Sequence, residues 1–125
     1  MAKNMPTAAM DAALDYIGAN ADKMIVCSAQ PTTYTEANAT YALADVAVAG
    51  GDFTKAAGDT SGRKVTVGAK TGVPVDTSGT ATHIAFVKTG DSTLRGVTTC
   101  TSQAISTGGT VDIPSFKVWE IQQVT

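Results

Sequence analysis

His83 is the only histidine in the sequence, and acid–base chemistry near neutral pH relies on that side chain more than on any other. It lies in Thr82-His83-Ile84-Ala85-Phe86-Val87, where strand alternation puts it on one face with Ala85 and Val87. That setting suits a packed or interfacial histidine better than a proton shuttle, and no HxxxH or HExxH partner accompanies it. Any Ser-His-Asp site has to use His83. Yet Ser28, Ser61, Ser78, Ser92, Ser102, Ser106 and Ser115 fall in loops or at strand ends, and none occupies a Gly-x-Ser-x-Gly elbow. The eleven carboxylates occur singly. Asp52, Asp59, Asp76 and Asp91 each neighbour Gly, Ser or Thr, so turn chemistry accounts for them. A glycosidase needs two carboxylates at a set separation, and nothing in the sequence selects two. Gly58-Asp59-Thr60-Ser61-Gly62 offers one acidic residue where a calcium loop needs several at alternate positions. Gly50-Gly51 and Gly108-Gly109 lack the strand–loop–helix context of a phosphate cradle. The expectation is no catalytic, cofactor-binding or metal-ligating residue, and no enzymatic activity.

Two further sets of residues have chemical potential. Cys27 and Cys100 both fall in expected strands and read as small buried hydrophobes in a reducing compartment. A disulfide between them needs neighbouring strands. Two cysteines and one histidine cannot complete a zinc set. The aromatic residues Tyr16, Tyr34, Tyr41, Phe53, Phe86, Phe116 and Trp119 offer either a stacking platform for glycans or core packing and interface anchors. The apolar context of most of them favours packing.

The elements that would carry these residues are mostly strands. Ala81–Lys88 and Thr93–Thr101 flank Thr89-Gly90-Asp91-Ser92, a β-hairpin signature in which Gly and Asp supply positive φ and side-chain-to-backbone bonds. Ile84 and Phe86 point one way, and His83, Ala85 and Val87 the other. A strand apolar on both faces belongs inside a layered structure. Upstream, residues 6–18 predict a short amphipathic helix, with Met10, Ala13, Leu14 and Ile17 on one face and Asp11 and Asp15 in solvent. Pro6 suits its first turn and Gly18 its end. At about three turns it cannot stand alone and must dock, on this domain or on a partner.

Lys23–Ala29 predicts a buried strand, with Met24 and Val26 on one face and Ile25 and Cys27 on the other. Pro31 ends that stretch. Thr35 suits the cap of a helical turn, and Leu43–Val48 reads as strand, although its alanines also allow helix. Phe53–Ala57 is a short segment between loops. Arg63–Lys70 predicts a one-sided strand, with Val65, Val67 and Ala69 inward, followed by a turn at Thr71-Gly72. Val73-Pro74-Val75 suits a sheet edge. Ser102–Gly109 reads as a polar connection. Val111 and Ile113 are in phase, and Pro114-Ser115 predicts a bulge or a bend between sheets. In the last strand Phe116 and Val118 face one side, and Trp119 and Ile121 the other. That strand carries the only Trp, so it closes the core or meets a partner.

Short strands with turn signals at close, regular spacing predict a mainly β chain: a single-domain antiparallel β-sandwich or jelly-roll-like barrel with one short N-terminal helix. Residues 1–22 form an N-terminal arm and helix, and residues 23–125 the β-domain, together one folded unit. Only 16% of residues are charged, which implies a largely neutral polar surface suited to permanent contacts with other proteins. The nine basic residues are scattered, with no run beyond Arg63-Lys64, which disfavours nucleic acid as a partner. No stretch has membrane-spanning length. The N-terminus lacks the apolar core of a secretory signal, so the chain is expected to stay in the cytosol until used.

Several stretches carry a resemblance. Tyr16–Pro31, Ser61–Val67, Ser78–Val87 and Thr98–Ile113 together resemble small structural proteins of tailed bacteriophages, including shell-decorating, or cement, proteins. The likeness is one of texture: Gly-Thr-Ala-Thr-His leading into an apolar strand, then Thr-Thr-Cys-Thr, then Gly-Gly-Thr-Val-Asp-Ile-Pro. It implies a compact β-domain, often jelly-roll-like, that is made in the bacterial cytoplasm and binds the outer surface of an assembled head. The implied partner is the major capsid protein, and the implied form a dimer or trimer that gains from simultaneous contacts. The helix around Met10, Leu14 and Ile17, or the Trp119 strand, would be its anchors. A neck, tail or fibre component is the alternative structural role. A carbohydrate-binding module is the alternative of another class, and an exposed cluster of aromatic rings would mark it.

Overall fold

The computed structural model describes residues 5–17 and 20–123. The expected arm at residues 1–4, Gly18 as the helix stop and the side chain of Ile17 lie outside the described residues. Helix α1 spans Thr7–Ile17 and opens on Pro6, whose carbonyl accepts the N–H of Ala9 and of Met10. Its buried stripe is narrow. Met10 and Leu14, one turn apart, are 2% and 0% exposed, whereas Ala13 is exposed rather than inward. The helix touches the domain along an edge, so only the i, i+4 pair is covered. Leu14 lies in the main core, so α1 docks on its own domain. Asp11 and Asp15 do not simply face solvent. Asp11 pairs with Arg63 at 2.8 Å and Asp15 with Lys55, which fastens the helix to the strands beneath.

The strands follow in order: β1 Lys23–Cys27, β2 Ala42–Ala47, β3 Phe53–Ala57, β4 Arg63–Val67, β5 Lys70–Pro74, β6 Gly79–Lys88, β7 Thr93–Ile105, β8 Thr110–Ile113 and β9 Phe116–Ile121. All pair antiparallel, in a four-stranded sheet β2-β1-β6-β7, a three-stranded sheet β3-β4-β9 and a two-stranded sheet β5-β8. The chain is a mainly β, sandwich-like single domain. Pro114-Ser115 carries the chain from β8 to β9 and so from one sheet to another, as a Pro-containing bend should.

The four-stranded sheet is apolar on both sides because both sides are covered. Met24, Val26, Ile84 and Phe86 face the main core, where they meet Val65 and Val67 of β4, Val73, Ile113, Val118 and Leu14. Phe86 is its largest fully buried side chain and stands edge-on to Phe53, ring centroids 5.8 Å apart, and tilted to Phe116 at 6.3 Å. On the other side Ile25, Cys27, Ala85 and Val87 form a second cluster beneath Ala37, with Tyr34, Tyr41, Leu94 and Val97 around it. Ala37 belongs to a π-turn, Glu36–Thr40, and Thr35, expected to cap it, is itself helical at φ −62° and ψ −41°. The Thr35 side chain makes no cap bond, and the Thr33 hydroxyl accepts the Glu36 N–H instead.

Local irregularities overturn several expectations. In the β6–β7 hairpin Ser92, not Gly90 or Asp91, takes positive φ, at +52°. The four-residue loop closes with a Ser92 N–H to Thr89 carbonyl bond, and the left-handed residue falls last. Thr71-Gly72 is no turn. It lies inside β5, where Gly72 at φ +65° forms a bulge against β8. The preceding strand therefore ends at Val67, and Ala69 is exposed. The supposed connection from Ser102 is strand up to Ile105. In β9 Val65 faces Trp119 while Thr66 faces Lys117, so Val118 is an extra residue. That bulge resets the alternation: Phe116, Trp119 and Ile121 all pack on the main core.

Candidate functional site

A cleft of about 700 Å³ lies at the open side of the sandwich, between β7 on one layer and β8 with β9 on the other. Its floor is core: Val26, Ala81, Ile84 and Phe116. Thr98, Thr101, Gln103, Asp112 and Lys117 ring the mouth. The opening has a local cause in the ladder. Ala81 pairs with Gln103 and His83 with Thr99, so Cys100, Thr101 and Ser102 together face the single residue Thr82. The surplus bends β7 away from a regular edge and holds the layers apart there.

The charges at the mouth are already engaged. Asp112 accepts the Gly72 N–H at 2.8 Å. The Lys117 ammonium donates to Asp59 at 3.0 Å and to Glu120 at 3.1 Å, and these two carboxylates, Asp59 first, raise its pKa. Glu120 has a pKa of about 2, chiefly because the Asp59 N–H donates to its carboxylate and then because of Lys117. Cys100 lines the cleft, and burial pushes its thiol up, away from the thiolate form that attacks or ligates. The cleft therefore offers neutral hydroxyl and amide groups over an apolar floor.

His83 is elsewhere, on the outer face of the four-stranded sheet. Its register partner on β1 is Cys27, an adjacency that no sequence spacing reveals because the two residues lie far apart in the chain. The pair is not a reactive dyad as it stands. Cys27 is fully buried, its thiol lies 3.8 Å from the carbonyl oxygens of Ile25 and Ala37, and burial pushes its pKa up to about 12. The His83 Nδ1 shares a 2.8 Å hydrogen bond with the hydroxyl of Thr82. The cysteines do not pair, because β6 separates β1 from β7. Two inter-strand spacings, roughly 10 Å, exceed disulfide reach.

The serines and carboxylates do structural work. Ser61 accepts the Gln123 N–H, Ser78 bonds Thr107, and Ser115 donates to the Val67 carbonyl. Asp52 accepts the Ala49 N–H and pairs with Lys70, which lowers its pKa in that order of importance. Asp59 pairs with Lys64 and Lys117, Asp91 with Arg95, and Asp76 is exposed. Among the described residues no three His, Cys, Asp or Glu side chains converge as metal ligands. The aromatic rings are mostly inside. Tyr16 is the exposed large hydrophobic, 54% accessible, and the Arg95 guanidinium lies 4.4 Å over its ring. Trp119 packs on the core with its indole N–H buried and unpartnered.

No helix of the described residues is long and apolar enough to cross a membrane. Comparison with family models, curated proteins and solved structures gives no match to this chain.

Proposed function

We propose that the chain is a non-enzymatic structural component of a phage virion, a homo-oligomeric decoration protein that binds the major capsid protein on the outer surface of the assembled head. The observation that carries this reading is the neutral stretch of β7. Thr99 and Thr101–Ala104 are exposed and uncharged, a surface suited to repeated, permanent protein contact. The resemblance of the Ser78–Val87 and Thr98–Ile113 stretches to shell-decorating proteins points the same way. The inward placement of most aromatic rings speaks against a glycan platform. Met10 and Leu14, the anchors suggested by the helical stripe, belong to the domain's own core, so contact with the shell must lie elsewhere. The neutral β7 surface is the site we assign to contact between copies within the homo-oligomer.

Copy number in purified particles, measured by quantitative mass spectrometry against the major shell protein, tests this. Numbers comparable with the shell protein are expected. A handful of copies would move the chain to the neck, tail or fibres, and its absence from particles would overturn the virion reading.

A further inference from the structure

The four-stranded sheet has two edges that differ. Along β2 the chain closes its own edge: Val75 bridges Ala44, and the Leu43 carbonyl accepts the N–H of Asp76 at 2.8 Å and of Thr77 at 3.1 Å. Along β7 the outward row of backbone N–H and C=O groups has no partner strand among the described residues, and the Thr98 hydroxyl, 3.5 Å from the Thr99 carbonyl, makes only a local contact there. From Gly96 to Ile105 it carries no Lys, Arg, Asp, Glu or Pro, the residues that ordinarily blunt an edge. One bulge, at Cys100–Ser102, interrupts it, and another at Arg95 marks where the uncharged edge begins.

We propose that β7 is the interface of a twofold homodimer, in which two copies pair antiparallel and their four-stranded sheets become continuous. An axis between Cys100 and Thr101 sets Gly96 opposite Ile105, Thr98 opposite Gln103 and Thr99 opposite Ser102 of the second copy. The bulge then sits on the axis, with a regular arm on each side. A second copy suits this edge for two reasons. Self-pairing of a strand normally brings like charges together, and this one has none to oppose. The β2 edge is capped, so edge pairing closes at two copies instead of growing into a filament. The same pairing brings the two clefts together at the junction, where their apolar floors are shielded from water. The inference gives the proposed homo-oligomer its contact. It rests on that part of the reading and not on the virion assignment.

Sedimentation equilibrium of the purified full chain, up to high micromolar concentration, tests it without any particle. The wild type is expected at twice the chain mass. T99K/S102K, at two exposed positions, places lysines opposite one another across the axis and is expected to be monomeric with an unchanged far-UV spectrum. T99K/S102E places opposite charges there and is expected to restore the dimer. A monomeric or trimeric wild type, or a T99K/S102K chain that still dimerises, would overturn the proposal. Should T99K/S102K not fold, amide hydrogen exchange of the wild type decides instead. Amides from Gly96 to Ile105 must slow as concentration rises, and exchange independent of concentration would overturn the dimer.

Discussion

Glu120 accepts the backbone N–H of Asp59 at 3.0 Å, so a carboxylate on the last strand ties down the loop between β3 and β4. The Thr60 N–H adds a second bond at 3.3 Å, to Oε2, and Lys117 donates to Oε1, the oxygen that also takes the Asp59 N–H. These bonds hold the carboxyl at about 2 against an ordinary value of 4.5. Between those values the unfolded chain binds a proton that the folded chain refuses, so stability falls as pH falls. The contribution is complete above pH 4.5 and gone once pH drops through about 2. Glu120→Gln is therefore expected to flatten the acid limb of a urea-midpoint profile. Parallel limbs for the two proteins would show that Glu120 carries no linkage. Asp52 and Asp59 are lowered as well, so some acid sensitivity must survive in the variant.

Leu14 is completely buried although it lies on the short helix. Leu14→Ala is expected to cost about 2–5 kcal/mol in urea unfolding, from lost burial and the cavity left behind. Leu14→Asp should not give a folded domain at all, because it buries an unpaired charge. A loss under about 0.5 kcal/mol for Leu14→Ala would mean that α1 is not docked in solution.

Two glycines with opposite surroundings make a pair of tests, Gly62 in the β3–β4 loop and Gly51 in the short turn before β3. Gly62 has φ +69°, and a Cβ there would stand 1.9 Å from the Ile121 carbonyl oxygen. Gly62→Ala is expected to lose more than about 1 kcal/mol, since both the backbone conformation and the space are wrong. Gly51 has nothing within 4 Å of an added Cβ. Gly51→Ala should stay within about 0.5 kcal/mol of the wild type. Thermal midpoints of the two variants give the comparison directly.

The thiols should differ in reactivity. Cys27 is sealed under Ala37 with a pKa of about 12, whereas Cys100 is half-buried in an open cleft. Under native conditions a disulfide reagent is expected to label Cys100 slowly and Cys27 only after unfolding. Rapid native labelling of Cys27 would show that the π-turn over the second cluster opens readily. Peptide mapping without reductant should find no Cys27–Cys100 link.

Alternation made much of the fold readable. Ile84 and Phe86 against Ala85 and Val87, and Met24 and Val26 against Ile25 and Cys27, sort onto the two faces as a period of two requires. The readings that failed did so where an extra residue broke that period. Val118 turned Trp119 inward, Gly72 made a bulge out of an apparent turn, and Cys100–Ser102 kept a polar stretch within the sheet. A bulge depends on the partner strand's register, which the strand's own residues do not encode. Ala13 and Asp11 show the same limit for the helix, whose period gives a face but not how much of it is covered. The cleft was not legible, because its lining comes from β1, β6, β7, β8 and β9 and from an irregularity between two of them. The Cys27–His83 adjacency was hidden for the same reason: β1 finds β6 only through the tertiary fold.

That order of strands has a consequence for synthesis. Val26 pairs with Ala44 on one side and with Ile84 on the other, so the centre of the main sheet is complete only after β6 has left the ribosome. At ~5–20 residues per second, β1 waits on the order of seconds for that neighbour. Through that interval the nascent chain holds Met24–Cys27, apolar on both faces, with one side of its backbone unpaired. Birth, rather than the finished molecule, is when this protein is most exposed to aggregation, and a ribosome stalled before β6 would release its stickiest form.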